Sequence, residues 1–344
     1  MEPERLHLGS CRQPGRPNVT IFGTGGTIAS QAKTTTALSG YQANLSIQSL
    51  VDSVSELLDV ANLWGIQVSN ILSKDMSAAI ALQLSKAVNA ELSRPDVDGV
   101  VVTHGTDTLE ETAFLLDLTI QSDKPVVFVG SMRPASALSA DGPMNLFQAV
   151  ILAASKEARG RGTLIAMNNR IGAAWNTNKN HANAPDSFYS VDEGQVGFFV
   201  SQRPTFYFGP SLPLGRTVFD VSACPALPQV DIMFGHQDWN VELIRASAAT
   251  GARGIVFNNV GDGSWSESAK GVAHEVFREK GIPMVYSRRA HSGYAVQRDD
   301  DEWAIASGPL PPQKARILLQ LTIQAGHDFE EIKEIFTRTW GGAR

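Results

Sequence analysis

The sequence predicts an α/β protein of two open α/β domains, a larger N-terminal one with a mainly parallel sheet and a smaller C-terminal one. Three observations predict it. Short apolar runs alternate with helical patterns of about ten residues or more, the signature of βαβ units. The run Gly99–Val102 is apolar without interruption, as in a strand buried on both faces of a parallel sheet. A Pro-rich stretch beginning at Phe206 and ending at Pro228 breaks the rhythm, which then resumes.

The first strand is expected over Asn18–Phe22, running into Gly23-Thr24-Gly25-Gly26-Thr27. A helical pattern follows at Ile47, Leu50, Val51, Val54, Leu57 and Leu58. The alternation continues as strand Ile66–Ile71, helix Ala78–Leu92, strand Gly99–Val102, helix Leu109–Ile120 and strand Pro125–Val129. Helix Met144–Ala154 and strand Thr163–Met167 complete it. These belong to a domain over 18–207, joined by a linker over 208–228 to a second domain over 229–344. There the spacing predicts strand Val230–Phe234, helix Asn240–Ala249, strand Gly254–Asn258, helix Ser266–Lys280 and strand Pro283–Tyr286. Two helices, Lys314–Gln324 and Phe329–Arg338, close the chain.

Composition narrows the function. The 344 residues are 43% hydrophobic, enough for two domains with sizeable cores. Lys and Arg number 29 against 35 Asp and Glu, a net charge of −6, which argues against a surface built to cover phosphates. No window approaches the length of a transmembrane helix, and two cysteines make neither a disulfide framework nor a zinc site. No nucleic acid, membrane, metal or cofactor is therefore expected. Residues 1–17 are polar, lack the apolar core of a secretory signal, and are expected to be a disordered lead-in. Cys11 and Cys224 read as free thiols, consistent with a reducing compartment. A cytoplasmic location is expected, or a periplasmic one if a signal is missing from this chain.

In open α/β sheets ligands bind beyond the carboxyl ends of the strands. Polar residues crowd those ends at Gly23–Thr27, Ser73-Lys74-Asp75, Thr103–Thr108, Ser131-Met132-Arg133, Asn168-Asn169 and Gly261-Asp262-Gly263. Together they point to a pocket for a small polar molecule. The glycine loop is not a dinucleotide fingerprint, because Ile28 stands where the third glycine belongs, and no P-loop occurs. What remains is a loop that delivers Thr27 to a strand end. A threonine hydroxyl is a nucleophile only when a neighbour takes its proton, and Tyr41 is one candidate neighbour. Thr108 followed by Glu111 reads as a capping box opening the next helix. Thr106 and Asp107 then stand ahead of a helix N-terminus, where free N–H groups favour a carboxylate, while Asp107 suits an ammonium. A zwitterionic amino acid satisfies both. His104 reads as structural, since no second His or Cys lies at ligand spacing.

With these segments in view, Thr24–Ala29 and GVVVTHGTDTLEE over Gly99–Glu111 resemble the bacterial L-asparaginases, nearest the type II and glutaminase-asparaginase branch. The likeness continues through Lys124–Pro134, Ser139–Leu146 and Pro312–Leu321, and spans Asn18 to Phe336. It implies that Thr27 is the nucleophile that takes the acyl group, with Tyr41 as its partner on a flexible loop. It implies that Thr106 joins Lys179 and Asp107 in a relay, Lys179 serving as a base or as a cation. Ser73, Lys74, Thr106 and Asp107 would line the substrate site. The implied reaction turns L-asparagine into L-aspartate and ammonia, with L-glutamine a possible second substrate. One methylene separates the two amides, a difference worth only about 1–3 kcal/mol in a pocket.

The resemblance further implies a homotetramer, a dimer of dimers, whose sites are lined by the partner's smaller domain. Asp262 would serve there, and the acid contributed across the interface is left open among Asp299, Asp300, Asp301 and Glu302. Three features depart from the pattern. Lys74 replaces the usual Gln or Glu, the segment Ser287–Trp303 is shortened, and Arg94 and Ser122 stand where some periplasmic members have cysteines. Two alternatives stay open: an amidotransferase subunit, and a catalytically weak amino-acid-binding protein of the same fold.

Overall fold

The computed structural model describes residues 4–9, 12–37, 40, 42–43 and 45–339, with only the backbone of 42, 43 and 339. The chain divides into two units, Met1–Ser211 and Leu212–Arg344.

In the first unit the strands are β1 (Arg5–His7), β2 (Asn18–Gly25), β3 (Ser30–Gln31), β4 (Gln42–Ala43), β5 (Asn62–Ile71), β6 (Gly99–Thr103) and β7 (Val126–Val129). They continue as β8 (Thr163–Met167), β9 (Arg170–Ala173), β10 (Asn178–Lys179), β11 (Phe188–Tyr189), β12 (Gly197–Val200) and β13 (Arg203–Phe206). Nine of them form one sheet in the order β1-β5-β2-β6-β7-β8-β9-β12-β13. The strands from β5 to β8 run parallel, and the outer ones are antiparallel. The helices are α1 (Ile47–Asp52), α2 (Leu57–Val60), α3 (Ala78–Leu92), α4 (Leu109–Asp117) and α5 (Gly142–Ala154).

Strand periodicity explains the layering, because successive side chains point to opposite faces. Ile21, Val101 and Val127 pack with Leu146, Ala149 and Val150 of α5 and with α1 and α2. Phe22, Val100, Val102 and Phe128 pack instead with Leu84 and Val88 of α3 and with Leu109, Ala113 and Leu116 of α4. Each face of the sheet thus has its own core, which is why the central strands are apolar throughout.

The differences from expectation have physical reasons. The strand expected over Asn18–Phe22 continues to Gly25, so the glycine turn is the strand's own end. Helix α4 stops at Asp117, short of Ile120. The Thr119 hydroxyl donates back to the Leu115 carbonyl at 2.8 Å and lies 2.7 Å from the Ser85 hydroxyl, drawing the chain out of the helix. The lead-in expected to be disordered supplies β1, paired antiparallel to β5 with Leu6 opposite Gly65. Charge holds it there. Arg5 Nε donates to Glu91 Oε1 at 2.7 Å, and its guanidinium lies 4.3 Å above the Trp64 ring. Cys11 lies outside the described residues, and Cys224 is a buried thiol.

The second unit is a parallel sheet, β14 (Val230–Phe234), β15 (Gly254–Asn259), β16 (Met284–Arg288) and β17 (Ile305–Ala306), in that order. Its helices are α6 (Glu242–Ala249), α7 (Glu267–Lys280), α8 (Pro312–Gln324) and α9 (Phe329–Thr339). Ile255, Phe257, Met284 and Tyr286 pack with Ile244 and Ala248 of α6 and with Ala273 and Val276 of α7. The two-domain α/β reading of the sequence holds. Among the described residues no helix is long and apolar enough to cross a membrane, and no group of three or more His, Cys, Asp or Glu is placed to hold a metal.

Candidate active site

The site grows from the ends of β2 and β6, which are parallel neighbours with Gly23 opposite Thr103. The Thr24 hydroxyl donates to the Thr103 carbonyl at 2.9 Å and ties the two ends together. Gly25 and Gly26 have φ of +101° and +84°, conformations that suit glycine. Space demands glycine as well. A Cβ on Gly25 would lie 2.4 Å from the Ile71 carbonyl oxygen, and one on Gly26 would lie 2.2 Å from Gly105 Cα. The glycine turn of β2 and the loop after β6 therefore touch backbone to backbone. Thr27, the next residue, opens a short 3-10 turn over Thr27–Ala29 and is buried. The Gly26 carbonyl braces that turn, accepting from Ala29 N at 3.1 Å and from the Ser30 hydroxyl at 2.7 Å.

On the other side of this contact stand Thr106 and Asp107. A buried Ser73 fixes their loop, its hydroxyl accepting from Asp107 N at 3.1 Å. The Thr108 hydroxyl donates to the Ser73 carbonyl at 2.8 Å. That bond overturns the capping-box expectation. Thr108 is the N-cap residue of α4, but its side chain makes no cap hydrogen bond, because the hydroxyl is already committed to Ser73. At the end of β7, Gly130 presses from a third direction, since a Cβ there would lie 3.1 Å from Thr106 Cγ2.

Lys179 comes from β10, far along the chain. Its Nζ donates to Thr106 Oγ1 at 3.0 Å and to Asp107 Oδ1 at 2.7 Å. The Lys179 side chain is 15% exposed and that of Asp107 63%, so the ammonium is sheltered while the carboxylate faces water. Lys179 N donates to a carboxylate oxygen of Glu110, on the first turn of α4. A lysine against a threonine hydroxyl takes its proton when the amine is neutral, or as an ammonium favours the hydroxyl's ionised form. A carboxylate on the same ammonium holds it in place.

Of the predicted residues, Ser73, Thr106, Asp107 and Lys179 form one hydrogen-bonded set, and Thr27 follows the glycine that contacts Gly105. Lys74 lies exposed in the turn Ser73–Asp75 and makes no ion pair with Asp75 or any other described residue. Tyr41 lies outside the described residues. His104 is fully buried, with Nδ1 2.7 Å from the Gly105 carbonyl, and burial pulls its imidazole down to about 4. Sequence reasoning missed Glu110, an ordinary first-turn acid by pattern whose burial leaves no trace in a single sequence.

In the first unit the other polar strand ends bond to the start of α5. Met132 N and Arg133 N donate to the Asp141 carboxylate at 2.9 Å each, and Asn168 N donates to Asn145 Oδ1 at 3.1 Å. In the second unit Asp262 pairs with Arg298 at 2.8 Å. The Ser264 hydroxyl and the Arg298 charge hold that carboxyl below its ordinary range. Lys270 bridges Asp300 and Asp301 at 2.7 Å each.

Comparison with known proteins agrees along the chain. Residues 18–211 match the family described as Asparaginase, N-terminal, and residues 229–336 match the Glutaminase/Asparaginase C-terminal domain. A Saccharomyces cerevisiae protein named L-asparaginase 2-3 is 44% identical over 341 residues, covering 98% of this chain and 94% of its own. L-asparaginase 2 of Bacillus subtilis is 42% identical over 326 residues, covering 93% and 86%. The crystal structure of a probable cytoplasmic L-asparaginase from Campylobacter jejuni superposes with a TM-score of 0.90 at 39% identity, covering 94% of this chain and 100% of that one. With both halves matched and such identity sustained over almost its whole length, the chain belongs to the asparaginase family.

Proposed function

We propose that the protein hydrolyses L-asparagine to L-aspartate and ammonia through an acyl-threonine intermediate on Thr27. The observation that carries this reading is the Lys179 ammonium bridging Thr106 and Asp107, beside the glycine contact that brings the Thr27 turn against their loop. Family membership and the names of the relatives support it.

In the first step the Thr27 oxygen attacks the side-chain amide carbon and loses its proton to its neighbours, Tyr41 being the partner on the adjoining segment. Backbone N–H groups of the glycine turn or of Thr106 steady the oxyanion. The amide nitrogen takes up a proton, the C–N bond breaks, and ammonia leaves. In the second step a water, relieved of a proton by the Thr106–Lys179–Asp107 set, attacks the ester and releases aspartate and the Thr27 hydroxyl. Ser73 and Asp107 hold the substrate's α-carboxylate and α-ammonium, with Lys74 beside them. L-Glutamine is the candidate second substrate. The reading includes a homotetrameric assembly and a cytoplasmic location.

The test is ammonia release from L-asparagine and L-glutamine, with Thr27→Ala as control. The variant is expected to lose turnover by about a thousandfold or more while still binding aspartate. Ammonia release by neither amide, or an equally active variant, would refute the reading.

A further inference from the structure

We infer that Glu110 is a positioning residue for this reaction, holding the backbone of Lys179 so that its ammonium reaches Thr106 and Asp107. The inference rests on the proposed hydrolysis. Lys179 belongs to β10, a strand of two residues whose ladder with β11 consists of Asn178 opposite Tyr189 and Lys179 opposite Phe188. So short a ladder places a side chain loosely, since even longer two-stranded pairs are marginal alone. Further support comes from α4. The Glu110 carboxylate accepts the Lys179 backbone N–H, and the residue is only 7% exposed.

Thr106 and Asp107 lie just ahead of the same helical turn. Lys179 is therefore tied at both ends to one short stretch of chain. Its backbone is bound to Glu110 and its ammonium to Thr106 and Asp107. Helix α4 thereby sets the distance between the lysine's anchor and the groups that its ammonium serves. A buried carboxylate is unfavourable unless hydrogen-bonded, and an apolar residue would fill this place more cheaply. The helix N-terminus offsets part of that burden, and the Lys179 N–H takes the oxygen directed at β10. Glu111, the next residue, is less buried, and the capping reading that singled it out does not hold.

The experiment compares Glu110→Ala and Glu110→Gln with the full parent chain, measuring kcat and KM for ammonia release from L-asparagine alongside thermal unfolding. Glu110→Ala is expected to lose about 100-fold in kcat with KM changed by less than about threefold, because the lysine shifts while the substrate contacts remain. Glu110→Gln keeps a carbonyl oxygen for the Lys179 N–H and is expected to recover kcat to within about tenfold of the parent. Should Glu110→Ala fail to fold, Glu110→Met fills the space without an acceptor and must show the same fall. A folded Ala or Met variant at parental kcat overturns the role, as does a Gln variant no better than these. A parent that releases no ammonia from L-asparagine refutes the proposed function instead, and this role with it.

Discussion

Lys74 is one covalent step from Ser73, whose hydroxyl and carbonyl are bonded to Asp107 and Thr108. It is exposed and carries an unpaired charge among the described residues. On the proposed reading, a substrate's protonated α-amino group would meet a like charge there. At several ångström in a watery surrounding such a repulsion is worth about 0.5–1 kcal/mol. Lys74→Gln is accordingly expected to lower KM for L-asparagine about two- to fivefold with kcat unchanged, and the gain should shrink in about 0.5 M salt. Identical KM values at low salt would show that the lysine points elsewhere. At this scale the sequence was unevenly legible. Thr27, Thr106 and Asp107 follow strands whose apolar runs announce them, so their place at a strand end could be read directly. Lys179 stands on a two-residue strand that has no periodicity to detect, and only resemblance pointed to it. Glu110 and Thr108 fit an ordinary helix start, and tertiary partners gave them other work.

The end of β2 is built on missing side chains. Gly26 combines φ +84° with a backbone neighbour 2.2 Å from any added Cβ, whereas Gly251 combines φ +103° with open space around it. The pair separates conformational strain from collision. Gly251→Ala should cost about 1–2 kcal/mol from backbone strain alone. Gly26→Ala should cost about 3–5 kcal/mol and abolish ammonia release, because the Thr27 turn must move off Gly105. Thermal unfolding of both variants checks the order, and a Gly26→Ala protein as stable and active as the parent would remove the contact from the site's architecture. The same elements show what pattern reading could reach. β2, β6, β7, β8, β15 and β16 are buried runs bounded by turns, and each was anticipated, as was β14, whose run is apolar but only partly buried. β9, β12 and β13 extend the sheet antiparallel, with Phe199 inward and Phe198 and Val200 outward, an alternation too short to stand out. β1 is held by an ion pair and a cation over an aromatic ring, forces to which an apolar-periodicity reading is blind.

Each unit carries its own apolar core, and acid stability is one property to which a single buried group contributes measurably. Burial lowers the His104 imidazole from 6.5 to about 4. Its folded value is depressed, so protons bind the unfolded chain more readily. The stabilisation is complete above about pH 6.5 and is lost as pH falls toward about 4, by about 3 kcal/mol at the limit. Urea unfolding at several pH values across that window should show the decline. His104→Gln, which does not titrate, should flatten it, and an unflattened curve would assign the decline to other groups. The first strand bears on a different property, the shelf life of a preparation. β1 covers Trp64–Ile66 of β5, the flank of a long sheet. A bare flank is a template on which other extended chains add. A protease nick that freed residues 4–9 would leave the chemistry untouched and hand storage vials a nucleus for fibrils.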